Sequence, residues 1–149
     1  MQAYAHYLDR SFDHMRTVLR RLDDVELNTA PFGTDTLSVA ALITHCAGVS
    51  GFWLGHVGLG RPTSRDRDAE MVAEATRLEL GELVDRSAAQ ARADVAELDG
   101  GGGVDSPLRS TLFADGSDDD VVLHVMEELF QHVGHMELTA DALEHRRDP

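Results

Sequence analysis

The sequence predicts an all-α protein built as a four-helix bundle. Four segments of roughly 20 residues carry apolar side chains at steps of three and four, the spacing of one helical face. No stretch alternates polar and apolar residues cleanly with a period of two, so a β-rich fold is not expected. A chain of 149 residues can bury a core without disulfides. We therefore expect one bundle domain over residues 1–149.

The first helix is predicted from the start of the chain to near Val25. Its apolar residues are separated by steps of 4, 4, 3, 4 and 3: Tyr4, Leu8, Phe12, Met15, Leu19 and Leu22. A run rich in turn-forming residues around Pro31 and Gly33 separates it from the second helix.

The second helix is predicted from Val39 to about His56, with Ser38 as its N-cap. Residues 36–60 contain no Asp, Glu, Lys or Arg and approach the ~20 residues that span a bilayer. They also include two His and five Gly, which are unfavourable or uninformative in a membrane span. A buried helix is therefore the favoured interpretation over a membrane span.

The second half of the chain predicts one short helical piece and two long helices: residues 68–75, residues 76–98 and a final helix reaching His145. The run Gly100–Gly103 ends the third helix, and a long loop containing Pro107 follows. Ser117 or Asp118 caps the last helix. All three connections between the long helices are long, so spacing alone leaves the topology open.

Charge excludes several functions. The net charge is −14, and the chain contains no lysine. Duplex binding and docking on anionic lipid both require clustered cations, so we expect neither nucleic acid nor membrane as a partner.

Cys46 is the only cysteine, which excludes an intrachain disulfide. The first 25 residues lack the pattern of a signal peptide, and a cytoplasmic location is expected.

The final helix carries a polar stripe next to its apolar face. Glu128, His132, His124 and His135 fall within a stripe about 80° wide, at about 100° per residue. Glu128 and His132 lie one turn apart, so both can reach one cation. Glu127 points about 100° away and is predicted to be solvated.

The second helix supplies a third candidate ligand. His45 lies in the middle of a strongly apolar face, where an unsatisfied imidazole is costly. We expect its partner to be the pair of Glu128 and His132. Two His and one carboxylate leave an open coordination position, as in catalytic zinc sites. Zinc is the expected cation, although nickel, iron or manganese accept the same ligands.

Each of these patterns also has a purely structural interpretation. His45 could instead bond a core carbonyl, and Glu128 with His132 could form a solvated pair. Cys46 lies about 100° from His45 and is interpreted as a small buried residue. Arg65 and Arg67 either begin a solvated helix or clamp an anion at the mouth of the bundle.

Three segments of the chain resemble the DinB-like superfamily. They are LSVAALITHCAGVSGFWL, RDRDAE and VVLHVMEELFQHVGHMELTADAL, and together they span roughly residues 37–143. The resemblance is to the mycothiol-dependent branch, which contains mycothiol S-transferases and the N-terminal domain of mycothiol-dependent maleylpyruvate isomerase. The Glu-x3-His sequence followed by Gly-His is its most specific motif.

This resemblance implies a fold, a metal and a reaction. The fold is a bundle in up-down-down-up order with a long crossover, and family members are often homodimers. The divalent metal would be held by His45, Glu128 and His132, with His135 or His124 as a supporting or alternative ligand. Mycothiol would be the co-substrate, and its metal-bound thiolate would attack a small electrophile.

The residues that would bind the substrates are expected around the metal ligands: Phe52, Trp53, Arg65 and Arg67. Phe52 and Trp53 could equally belong to the core. Two alternatives remain beside thiol transfer, namely metal binding without transferase activity and metal-dependent hydrolysis. A bundle without any metal is a third.

Overall fold

The computed structural model describes residues 1–33, 36–113 and 115–147, without the side chain of Leu112. Residues 34–35, 114 and 148–149 of the predicted domain lie outside the described residues. The described part forms seven α-helices: α1 (Gln2–Arg21), α2 (Asp24–Leu27), α3 (Val39–Ser50), α4 (Arg67–Met71), α5 (Arg77–Asp99), α6 (Pro107–Leu112) and α7 (Asp118–His145). A π-helix, π1 (Gly51–Gly58), continues α3.

Four of these helices build the predicted bundle, namely α1, α3 with π1, α5 and α7. Both α1 and α3 pack against α5 and α7. Side-chain pairs fix the direction of α1 against its neighbours. In the pairs between α1 and α7, residue numbers increase along both helices in the same direction: His14–Glu137 and Arg21–Glu144. In the pairs between α1 and α5, residue numbers increase along one helix as they decrease along the other: Arg16–Asp85 and Asp9–Arg92. Helix α1 is therefore parallel to α7 and antiparallel to α5.

Helix α3 runs opposite to α7, because His45 contacts His132 whereas Trp53, farther along the chain, contacts His124. It follows that α3 and α5 are parallel, and the order is up-down-down-up. The connection over residues 59–76 must then travel back along the bundle. It does so beside α3, and its helix α4 packs against α3. This connection, which we call the crossover, positions two residues of the site described below.

The apolar faces meet in one core. Its largest fully buried side chains come from all four bundle helices and include Phe12, Leu42, Leu80 and Met136. The apolar stretch over residues 36–60 lies in this core, as predicted. Among the residues that the structure describes, no helix is both long and apolar enough to cross a bilayer.

The predicted helix caps are confirmed at Ser38 and Ser117. The Ser38 side chain accepts from the backbone N–H of Ala41, and Ser117 forms a capping box with Asp120. Thr76, which we predicted as the first residue of the third helix, instead caps it through a reciprocal bond with Glu79. Each cap satisfies backbone donors that a helix start leaves unpaired.

The long loop after α5 differs from the prediction, because it contains helix α6. Arg109 of α6 is buried and donates to the carbonyl oxygens of Val57 (3.3 Å) and Gly58 (2.7 Å). It also forms an ion pair with Asp118 at 2.7 Å. Arg109 thus ties α6 to the end of π1 and to the start of α7.

Candidate metal centre

Three side chains from two helices converge between α3 and α7. His45, Glu128 and His132 each offer one ligand atom, and these atoms lie within 4.8 Å of one another. Both imidazoles turn Nε2 toward Glu128 Oε2, at 4.0 Å for His45 and 3.5 Å for His132. The two rings are nearly perpendicular, with centroids 4.8 Å apart. These are the three residues that the sequence analysis predicts as partners.

The spacing of these atoms suits a cation better than direct hydrogen bonds. Two tetrahedral ligands that each lie about 2.1 Å from one zinc ion are roughly 3.4 Å apart. The other ring nitrogen of His132, Nδ1, is buried without a hydrogen-bond partner in the described part of the chain. A donor set of two nitrogens and one carboxylate oxygen fits zinc and leaves a coordination position open.

The environment of His132 keeps its imidazole neutral. Burial lowers its pKa, and the neighbouring His45 lowers it further, which together outweigh the opposing effect of Glu128. A neutral imidazole has a free lone pair on one ring nitrogen, and a metal ligand requires that lone pair. His132 is therefore in the protonation state that ligation needs at neutral pH.

The sequence analysis missed Glu70, which lies on α4 of the crossover. Glu70 is only 6% exposed, and its Oε2 lies 2.9 Å from His45 Nδ1. Arg65 binds the same carboxylate through Nε at 2.7 Å and Nη2 at 2.8 Å. Burial alone would raise the pKa of Glu70, but the hydrogen bonds from Arg65 and His45 outweigh burial and lower it.

A signal for this partner was present in the sequence. An imidazole has two ring nitrogens, and both need a partner when the ring is buried. The predicted pair of Glu128 and His132 accounts for one ring nitrogen of His45, so the second nitrogen requires another partner. Glu70 is the last residue of the RDRDAE motif, beside the two arginines that are predicted as site residues.

The two arginines of this motif have different surroundings. The Arg65 guanidinium pairs with Glu70 and lies 5.5 Å above the Phe52 ring. Arg67 is exposed at the first residue of α4. The structure therefore places Arg65 beside the three converging residues and Arg67 at the surface.

An aromatic cluster adjoins Arg65 and lies one helical turn before Glu128 on α7. The ring of His124 lies 4.5 Å from that of Trp53 and 5.4 Å from that of Phe113. Phe52 contacts Trp53 at 5.5 Å. Phe52 and Trp53 belong to π1, and all four side chains are partly exposed. Sequence reasoning did not assign Phe113 to this cluster, because it follows the unpredicted helix α6.

The remaining polar candidates lie outside the converging group. His124 contacts aromatic rings instead, and His135 is partly buried three residues beyond His132. Cys46 is fully buried, and burial raises the pKa of its thiol. Since the thiolate is the nucleophilic form, Cys46 is an inert core residue, as predicted.

Comparison with protein families gives a match over most of the chain. The model of the family described as mycothiol S-transferase matches residues 3–144, which include all the bundle helices apart from the terminal residues of α1 and α7. Neither a search of curated proteins nor a search of solved structures found a match.

Proposed function

Because the chain belongs to the mycothiol S-transferase family, we propose that it transfers a mycothiol-type thiol to a small electrophile at a divalent-cation site. His45, Glu128 and His132 would hold the cation, and zinc is the ion we propose. The observation that carries this proposal is the convergence of both Nε2 atoms on one oxygen of Glu128.

The cation, when bound, supplies positive charge that keeps a thiol ionised at neutral pH. The charges of the three protein ligands determine the net positive charge that remains at the cation site. His45 and His132 are neutral donors, so Glu128 brings the single negative charge among the three ligands. A second anionic group, the sulfur of the thiol, is then attracted to the same centre.

The proposed reaction forms one bond between the thiol sulfur and an electrophilic carbon. The thiol proton passes to solvent, and the leaving group departs with the electron pair of its broken bond. The aromatic cluster of Phe52, Trp53, Phe113 and His124 offers an apolar surface beside the ligands. We assign it to the electrophile, because the rings are only partly buried and adjoin the site.

Metal analysis and a conjugation assay on the same preparation test the proposal. We expect about one equivalent of zinc per chain, and conjugation of mycothiol with monochlorobimane that chelation abolishes and zinc restores. Conjugation that survives complete metal removal would refute a metal mechanism. Bound metal without conjugation would point to a binding protein or to a hydrolase that activates water at this centre. Absence of metal would leave a structural bundle.

Metal affinity is expected to fall as the pH drops. His45 and His132 bind a cation only when neutral, so protons compete with the metal. Because the pKa of His132 is lowered, this residue stays neutral below the ordinary titration point of about 6.5. Affinity should thus hold through neutral pH and decline in the more acidic range.

Zinc competition titrations between about pH 5 and pH 8 measure this dependence. The competing chelator, calibrated at each pH, provides the control. An affinity that does not change with pH over this range would contradict ligation through imidazole.

A further inference from the structure

The hydrogen bond between Glu70 and His45 carries an inference that rests on the cation site of the proposed function. We propose that Glu70 is a positioning residue, which holds His45 with Nε2 free to face Glu128 and His132. We further propose that Gly48 is required because it leaves room for the Glu70 carboxylate.

The contacts of Glu70 determine which ring nitrogen of His45 carries the proton. Arg65 donates to both carboxylate oxygens, so Glu70 is ionised and can only accept. The 2.9 Å contact from His45 Nδ1 to Glu70 Oε2 must therefore be an N–H donated by the imidazole. The contact from Arg65 Nη2 to the same nitrogen is longer, at 3.4 Å. The lone pair of His45 is then on Nε2.

This arrangement restrains the ring as well as its proton. A carboxylate that binds the outer nitrogen of a metal-ligating His fixes ring orientation and raises the basicity of the ligand. Glu70 and His45 are both nearly inaccessible, with side-chain exposures of 8% and 6%. Water therefore competes little for either group, and the bond persists in the absence of a cation.

Gly48 explains how Glu70 reaches this position. Gly48 lies three residues after His45 on α3, and a Cβ atom there would overlap with Oε1 and Cδ of Glu70. Glycine weakens a helix interior relative to alanine, so its presence here needs a compensating reason. The overlapping atoms are the far end of a flexible side chain. An alanine would therefore displace the carboxylate from His45 and leave the helix in place.

The test compares zinc affinities of purified variants by competition with a chromophoric chelator. We expect Glu70→Ala to lose about 10- to 100-fold in affinity, the range for such supporting partners, and Gly48→Ala to lose about tenfold or more. In the Glu70→Ala background, Gly48→Ala should cause no further loss, because it acts only through Glu70. Glu70→Gln keeps an acceptor for His45, so it should lose less than Glu70→Ala.

Two matched controls accompany these variants. Gly81 lies inside α5, where a Cβ would meet nothing within 4 Å among the described residues. Glu74 is an exposed acid just after α4. Gly81→Ala and Glu74→Ala should keep wild-type affinity, and Co²⁺ absorption spectra should change for the Glu70 and Gly48 variants only.

The outcomes separate this inference from the proposed function. Tight zinc binding by wild type with unchanged affinity in Glu70→Ala would overturn the role of Glu70 alone. An equal loss from Gly48→Ala with and without Glu70 would overturn the role of Gly48. No zinc binding by wild type would overturn the cation site and this inference together. If Glu70→Ala did not fold, Glu70→Gln and Gly48→Ala would still decide the question.

Discussion

Replacing Glu128 by alanine is expected to abolish tight metal binding and leave the bundle folded. Glu128 supplies the oxygen toward which both Nε2 atoms turn and the single negative charge of the ligand group. Its side chain is 30% exposed, so it contributes little to the core. Loss of a direct ligand should cost more than the ~100-fold upper end seen for supporting partners.

Glu127→Ala is the matched control for this change, since Glu127 is the preceding residue and is exposed. It should retain wild-type zinc affinity. Metal content after dialysis and zinc competition measure the effect, and thermal unfolding followed by circular dichroism reports on the fold. Equal losses of bound metal in the two variants would contradict the assignment of Glu127 and Glu128 to different faces of α7.

The second large effect is expected for His132→Ala in thiol conjugation. His132 is a proposed ligand that α7 places one turn beyond Glu128. Its loss removes a ligand and not a thiol contact, so excess thiol cannot compensate. The conjugation rate at saturating mycothiol should fall by about a hundredfold or more.

His135→Ala distinguishes a direct ligand from a neighbouring imidazole on the same helix. It should keep most of the rate, because His135 lies outside the group of three converging atoms. A smaller loss in His132→Ala than in His135→Ala would transfer the ligand role to His135. Fluorescence of the bimane conjugate, measured at fixed reaction times, gives the rates of both variants under identical conditions.

The long helices could be predicted because their signals are local. Ser38 and Ser117 mark helix starts by a known capping chemistry, and the apolar steps of α1 define its buried face. Helix α6 was missed for an equally local reason. Pro107 is typical of a loop, but proline is also favoured in the first turn of a helix, and α6 begins there.

The change from α3 to π1 could not be predicted from apolar spacing. Residues 51–58 are mostly apolar or glycine, so they show no periodicity that distinguishes one helix type from another. The wider π-helical turn affects where Phe52 and Trp53 lie relative to the ligands. Their contacts with His124 and Arg65 therefore became visible only in three dimensions.

The three candidate ligands could be predicted from helical spacing, whereas Glu70 depends on the topology of the chain. The i, i+4 relation of Glu128 and His132 and the apolar surroundings of His45 both follow from single-helix geometry. Glu70 is separated from His45 by 25 positions and lies on a helix of five residues. No periodic pattern links the two, because the return path of the crossover is what brings them together.

The crossover also limits which insertions and deletions this chain can accept. Surface connections ordinarily accept insertions and deletions, because few contacts depend on their length. Between Leu59 and Glu70 the backbone must span a fixed distance along α3, so that the carboxylate stops level with His45. One residue more or less would shift Glu70 out of register while every core helix stayed intact. The glycine run after α5 positions no residue of the candidate site, so relatives of this protein should differ in length there more readily than between π1 and α4.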